Sequence, residues 1–363
     1  MRAVPWATAA ILVLAVAGCS SDEDPGAEPT PTTGSTVASS TPTASPSQTP
    51  ESSAPPATEL DWQPVPGPVR DTVTQNTDWT LTVRGDGAGW SLDGPAGSTG
   101  GGRSGWRVSD ALLDQDWAVV VLQEKTESRP SRAEVTDLAT GDTFEIDGSS
   151  DVPTTNGGTW ALGAGRLLHA TVGPGGAYCV ASVDLEARES TLGWCAPKRQ
   201  GFNGARVAPG GDSVMSFDAG RPSCRTLMAL DGADAVPFDG VEECTAWDGL
   251  RTEDGAVWST IPDERRIETA HFYATASGEQ ADLGVGTAGS LVWCGGAAYF
   301  TRDPENDGDP ATLVRWTPTD GADVVYESPG GRAFLSQPRC GGDHLTITAA
   351  AEAGDEQVTA ALS

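Results

Sequence analysis

Apolar and polar positions alternate in short runs along most of this chain, and one pattern keeps returning. A turn, often glycine-rich, is followed by a strand of β-branched or aromatic residues. It occurs as Asp78-Trp79-Thr80-Leu81-Thr82-Val83, as Asp116-Trp117-Ala118-Val119-Val120-Val121 and as Gly165-Arg166-Leu167-Leu168-His169-Ala170. It returns as Gly211-Asp212-Ser213-Val214-Met215-Ser216 and Asp254-Gly255-Ala256-Val257-Trp258-Ser259. Two late copies, beginning at Cys294 and Cys340, share a Cys-Gly-Gly opening. The copies lie roughly 38 to 50 residues apart, the period of a four-stranded propeller blade. Seven copies favour a seven-bladed, all-β propeller. The first copy lies in a thin, glycine-rich stretch, which leaves six blades as the alternative.

Hairpins fit the same frame. Residues 132–138 turn at Thr140-Gly141-Asp142 into 143–146, and 312–316 turn at Asp320-Gly321 into 323–326. Asp and Gly at such turns tolerate positive φ. No stretch carries a sustained helical period with caps, so almost no helix is expected. The segment Leu60-Asp61-Trp62-Gln63-Pro64-Val65-Pro66 holds two prolines, which cannot donate to a ladder, so it predicts an edge strand. The last repeat offers three strands, near 332–337, 344–349 and 356–362, and is one short. The N-terminal strand is therefore expected to complete it and close the ring.

The chain has seven cysteines, six of them within the repeats. An even set in an exported chain reads as disulfides, although six cysteines allow fifteen connectivities. Cys179 and Cys195 flank one hairpin turn, Cys224 and Cys244 bracket Asp231-Gly232, and Cys294 and Cys340 occupy equivalent places in successive repeats. Those three pairings are the expected ones. No Cys-x-x-Cys or Cys/His cluster points to a metal, and no metal or cofactor is expected.

The first residues change the picture of location. Met1-Arg2 precedes an apolar run, 7–17, that is too short to span a bilayer comfortably. It ends Val16-Ala17-Gly18-Cys19, followed by polar residues, and resembles the lipobox of bacterial lipoproteins. By that resemblance residues 1–18 are a signal peptide and Cys19 becomes the lipidated first residue. Residues 19–59 are dominated by Ser, Thr, Pro, Ala, Gly and acids, with no Lys or Arg. Such a stretch cannot bury enough apolar surface to offset chain entropy, so a disordered tether is expected, with the propeller at 60–363.

The 363 residues carry a formal net charge of −29 and a pI near 4.2. This balance argues against nucleic acid and against anionic lipid headgroups as electrostatic partners. Gly97-Ser98-Thr99-Gly100-Gly101-Gly102-Arg103-Ser104 resembles a phosphate-binding loop but has Arg where the Lys belongs. With neither a feeding strand nor a following helix expected, it reads as a loop between blades. The acids from Asp303 to Asp309 open like a calcium loop, but Val314 stands at the twelfth place, so an acidic hairpin tip is the expectation. His169 and His344 fall in the repeated strand, taken as the inner one, which makes them axial-channel candidates. His271 reads as a packed or hydrogen-bonded residue. Trp160, Trp247, Trp293 and Trp316 fall at strand positions and predict inter-blade packing. No nucleophile elbow, zinc-binding helix or triad spacing is present, so no catalytic residue is assigned.

On the lipobox, the Ser/Thr/Pro tether and the repeats of the last 300 or so residues, the chain resembles the secreted propeller-bearing lipoproteins of actinobacteria, in the broad WD40-like and TolB-like sense. The repeats lack the Gly-His and Trp-Asp signature of WD40 blades. The resemblance implies a monomeric, lipid-anchored protein on the outer face of the cytoplasmic membrane. Its expected role is a non-enzymatic binding or scaffolding module for a cell-envelope polymer or protein partner. The alternative is an extracytoplasmic hydrolase or lyase acting on glycan through acids at the axial funnel.

Overall fold

The computed structural model describes residues 60–263 and 265–362. The signal segment, Cys19 and the tether lie outside the described residues. Seven antiparallel sheets follow one another along the chain. Blades 1 to 7 span residues 72–101, 106–146, 160–195, 200–237, 246–286, 292–327 and 333–361. In each of the first six, four consecutive strands pair in chain order, which is the expected meander. Two three-residue 3₁₀ turns, Pro174–Gly176 and Ile267–Thr269, supply the helical residues among those described.

Blade 7 is completed by the N-terminal strand Gln63–Pro64, which pairs with the last strand through Gln63↔Thr359 and Pro64↔Val358. Proline is tolerated there because this strand is an edge. Trp62 adds a side-chain clasp: its indole Nε1 donates to the Val325 carbonyl at 2.7 Å, and its ring meets Tyr326 edge-on at 5.2 Å.

The repeated apolar strand is the second strand of every blade, not the innermost. In Trp117–Glu124 seven of eight residues are buried, and in Arg166–Val172 five of seven. The second strand is flanked by neighbours within its sheet and by adjacent blades on both faces, so it is the most apolar. The innermost strand has one edge on the axis and is more mixed. Gly97–Gly101, expected as a loop, is the outermost strand of blade 1 and pairs with Trp90–Gly94. Its small residues are all exposed, so it buries nothing and leaves no apolar signature.

Apolar clusters sit between blades rather than within them. Phe272 of blade 5 stacks on Phe300 of blade 6 at 4.1 Å, and both are fully buried. Trp316 belongs to that cluster, as expected of a packing tryptophan. The seam between blades 7 and 1 is spanned by hydrogen bonds. Arg339 Nε donates to the Val73 carbonyl at 2.9 Å, and Gln357 Nε2 donates to the Asp71 carbonyl at 3.1 Å. A Cβ at Gly341 would lie 2.0 Å from the Gln75 carbonyl, so only glycine permits this approach.

All three expected disulfides are formed: Cys179–Cys195 across a blade 3 hairpin, Cys224–Cys244 beside blade 4, and Cys294–Cys340 between blades 6 and 7. Three disulfides point to an extracytoplasmic protein.

Two outcomes follow for stability, both read from urea unfolding midpoints of the full chain. Trp62→Ala is expected to cost about 2–3 kcal/mol, somewhat below a fully buried tryptophan, because the clasp on the closing strand is lost. Replacing Cys294 and Cys340 by Ala is expected to cost more than replacing Cys179 and Cys195. The first pair closes 46 residues and the second 16, or about 4 against about 3 kcal/mol by chain entropy. An equal or reversed order would show that loop closure does not govern these bonds.

Candidate functional site: the axial channel

The innermost strands surround a cavity of about 800 Å³ on the propeller axis. Its wall is mainly apolar and includes Val108, Leu112, Trp160, Val207 and Trp293. Trp160 and Trp293, expected as packing residues, therefore face the lumen as well. Volume and lining are those of a small-ligand site.

Three charged side chains on this wall sit at irregularities of the innermost strands. Asp110 follows a register shift after Val108 in blade 2, and Arg206 follows one after Asn203 in blade 4. Arg339 comes after the break that separates Ala333–Leu335 from Arg339–Cys340 in blade 7. A bulge interrupts the two-residue alternation and re-aims the side chain beside it, which is how a charge is brought to such a wall.

These groups are compensated unequally. Asp110 is half-buried on the lumen wall, and desolvation raises its carboxyl pKa, opposed only by the neighbouring Ser109 hydroxyl. Arg339 is held down to about 10 by burial, so it remains charged at neutral pH. Its partners are the Val73 carbonyl and, at 3.3 Å, the Thr348 hydroxyl, with no carboxylate among the ion pairs of the described residues. Arg206 lies 3.9 Å from Asp248, a loose pair.

Other acids here are structural. Asp248 is buried, and its carboxylate accepts the Gly289 N–H at 2.6 Å and the Ser259 hydroxyl at 3.3 Å. Burial raises its pKa against those bonds and Arg206. Asp114 also lines the channel, but it accepts the backbone N–H groups of Asp116 (3.0 Å) and Trp117 (2.8 Å), holding the turn into the next strand. Arg166 is locked on Asp212 through two bonds of 2.7 and 2.9 Å.

The expected channel histidines stand elsewhere. His169 is buried in the second strand of blade 3, stacked on Trp160 at 5.1 Å, with Nδ1 3.0 Å from the Ala170 carbonyl. Burial lowers its pKa. His344, in the second strand of blade 7, pairs with Asp343 at 2.8 Å, and Asp343 also accepts the Thr77 N–H of blade 1. Neither histidine lines the cavity. Both were placed there because the apolar repeat was taken for the inner strand. His271 pairs with Asp282 at 2.6 Å on the outer hairpin of blade 5. The acids near 303–309 form a hairpin tip in which Asn306 donates to Asp309 at 2.8 Å. Among the described residues, the metal-like grouping of Cys224, Glu243 and Cys244 involves two disulfide-bonded sulfurs and is not a ligand set.

Asp110, Arg206 and Arg339 were missed in the sequence. The signal that was available is a lone charge in the less apolar strand preceding each repeated strand, as in Val108-Ser109-Asp110-Ala111-Leu112.

Asp110 yields a pH prediction. Its pKa is raised in the fold, so the unfolded carboxyl ionises first as pH rises, and stability falls from the ordinary carboxylate range up through the raised folded pKa. Asp110→Asn removes that loss. The variant is expected to match the parent at low pH and to exceed it at pH 7, as read from paired urea midpoints. A destabilised variant at pH 7 would mean that the carboxylate is anchored by a partner.

No protein-family model matches the sequence, and no curated protein matches it. Among solved structures, the fold is similar to the β-propeller domain of the Trilobed protease from Pyrococcus furiosus, at 12% identity over 80% of this chain and 90% of that one, with a TM-score of 0.50. It is also similar to a prolyl endopeptidase, at 12% identity over 79% of this chain, with a TM-score of 0.51. The chain spans about half the length of that endopeptidase, 46%. Identities this low show the fold alone: this chain is a seven-bladed β-propeller.

Proposed function

We propose that this protein is a lipid-anchored binding module on the outer face of the cytoplasmic membrane, holding its propeller out on the 19–59 tether. The axial cavity takes the ligand, a segment of a cell-envelope molecule or partner narrow enough to enter it. The observation that carries the reading is the cavity itself. It is apolar over most of its wall, and neither Asp110 nor Arg339 has an opposite charge within ion-pair reach among the described residues. A ligand with a cationic or hydroxyl group at one place and an anionic group at another supplies both.

An alternative reading is a glycan-active hydrolase or lyase. Asp110 favours it, because a raised carboxyl is what a general acid requires. A glycosidase needs a second carboxyl about 5–10 Å away. Asp114 is four residues along an extended strand, about 13 Å, and its Oδ1 already accepts two backbone amides. The binding reading is therefore preferred.

Two experiments test it. Cys19→Ser is expected to abolish incorporation of labelled fatty acid into the protein; a parent protein that takes up no label, or a variant that takes up as much, would refute the lipid anchor. A pull-down from solubilised membranes with the tethered protein is expected to recover a ligand whose capture falls at least tenfold in Asp110→Asn. Multiple turnovers on a purified polysaccharide, lost in the same variant, would establish the alternative instead.

A further inference from the structure

A second concavity, of about 610 Å³, lies away from the axis between the loops of blades 1 and 2. Three of its twelve lining residues are cationic, Arg84, Arg103 and Lys125, and none is acidic. The chain has 51 acids against 22 Lys and Arg, so an acid-free wall with three cations runs against the composition. Lys125 is one of only two lysines, with Lys198.

The cations are available. Lys125 is exposed and has no ion pair among the described residues. The nearest carboxylate to Arg84 is Asp86, at 3.9 Å, and both side chains are mostly in solvent, where such a pair is weak. The Arg103 guanidinium rests 5.0 Å above the Trp106 ring, which orients it without neutralising it. The walls are braced by backbone bonds. Lys125 N–H donates to Gly105 O at 2.9 Å, Val108 N–H to Gly87 O at 2.8 Å and Arg84 N–H to Gly89 O at 3.0 Å. A Cβ at Gly102 would lie 2.4 Å from the Ala88 carbonyl, so the two loops meet only because this residue is glycine. These residues continue the Gly-rich run that the sequence sets apart. Its glycines serve an outer strand and a loop contact, and its Arg103 faces the groove.

We propose that this groove binds an anionic polymer of sugar or polyol units carrying spaced oxyanions, at a site separate from the axial channel. Two guanidinium groups and an ammonium group suit carboxylate or phosphate oxygens equally. Spaced charge matters because the rest of the surface is acidic. At physiological salt, repulsion beyond about 8 Å is screened, so a sparsely charged polymer experiences the groove and little else. Nucleic acid, with a charge about every 1.7 Å of duplex, meets far more repulsion. The Trp106 face is already taken by Arg103 and offers a base no platform.

The test uses the full chain and binding measured by fluorescence anisotropy of labelled alginate fragments, poly(glycerol phosphate), neutral dextran and double-stranded DNA. Alginate, poly(glycerol phosphate) or both are expected to bind, and which of them binds names the oxyanion. Arg84→Gln/Arg103→Gln/Lys125→Gln is expected to lose at least tenfold in affinity. Arg199→Gln/Arg265→Gln/Arg332→Gln, equal in charge change but elsewhere, is expected to retain the parent affinity. Lys125→Gln alone, at an exposed side chain with no ion pair, is expected to lose about two- to threefold and keeps the test valid if the triple variant folds poorly. The proposal fails if neither anionic polymer binds, if both triple variants lose affinity equally, or if dextran or DNA binds as tightly. It stands or falls independently of the axial reading, because Asp110→Asn leaves the groove intact.

Discussion

The structure depends on one packing requirement: a four-stranded blade has two faces, and only its neighbours can cover them. Phe272 and Phe300 are fully buried because blades 5 and 6 meet, not because either sheet has an interior. Aromatic pairs of this kind add about 0.5–1.5 kcal/mol beyond the area they bury. Each blade is thus stable only as a member of the series, and the series must return to its beginning. The return is made by Gln63–Pro64 in blade 7, the Trp62 clasp and the hydrogen bonds of Arg339, Gln357 and Asp343 to blade 1. The closing seam relies on directional polar bonds, which fix the angle at which the ring shuts. The Cys294–Cys340 bond ties blade 7 to blade 6 just before that seam.

Ring closure leaves the innermost strands with an unusual duty. Their outer edge pairs with the buried second strand, while the other edge borders an open axis. Regular alternation would send successive side chains to the two neighbouring blades in turn, and the bulges break that regularity where charges appear. Asp248 shows the structural use of such a site, since its carboxylate is consumed by Gly289 and Ser259. Asp110 shows the other use, because nothing of comparable strength holds it. A desolvated charge without a partner opposes folding, and the ligand proposed above would supply that partner.

The chain's formal charge of −29 repels anionic groups over most of its surface. Against that background a small cluster of cations stands out more sharply than it would on a neutral protein. The axial cavity and the blade 1–2 groove therefore differ in kind. One is mainly apolar with charges of both signs, and the other is more polar and carries charges of a single sign.

The all-β class, the seven repeats, the closing N-terminal strand and all three disulfide pairings were legible in the residue order. Each rests on local signals: alternation, turn chemistry, proline at an edge, and cysteines placed alike in successive units. The layer within each blade was not legible. A strongly apolar strand announces burial, but burial on both faces belongs to the second strand, and the axis is lined by the quieter strand before it. That shift moved His169 and His344 off the channel and put Asp110, Arg206 and Arg339 onto it. The Gly97–Gly101 strand was hidden for a related reason, since an outer strand that buries nothing has no pattern to show. Sequence determined which segments pair with their neighbours, because that is decided within a few residues. Only the closed ring decided what faces the axis, because that depends on how seven sheets pack around a point that no single repeat contains.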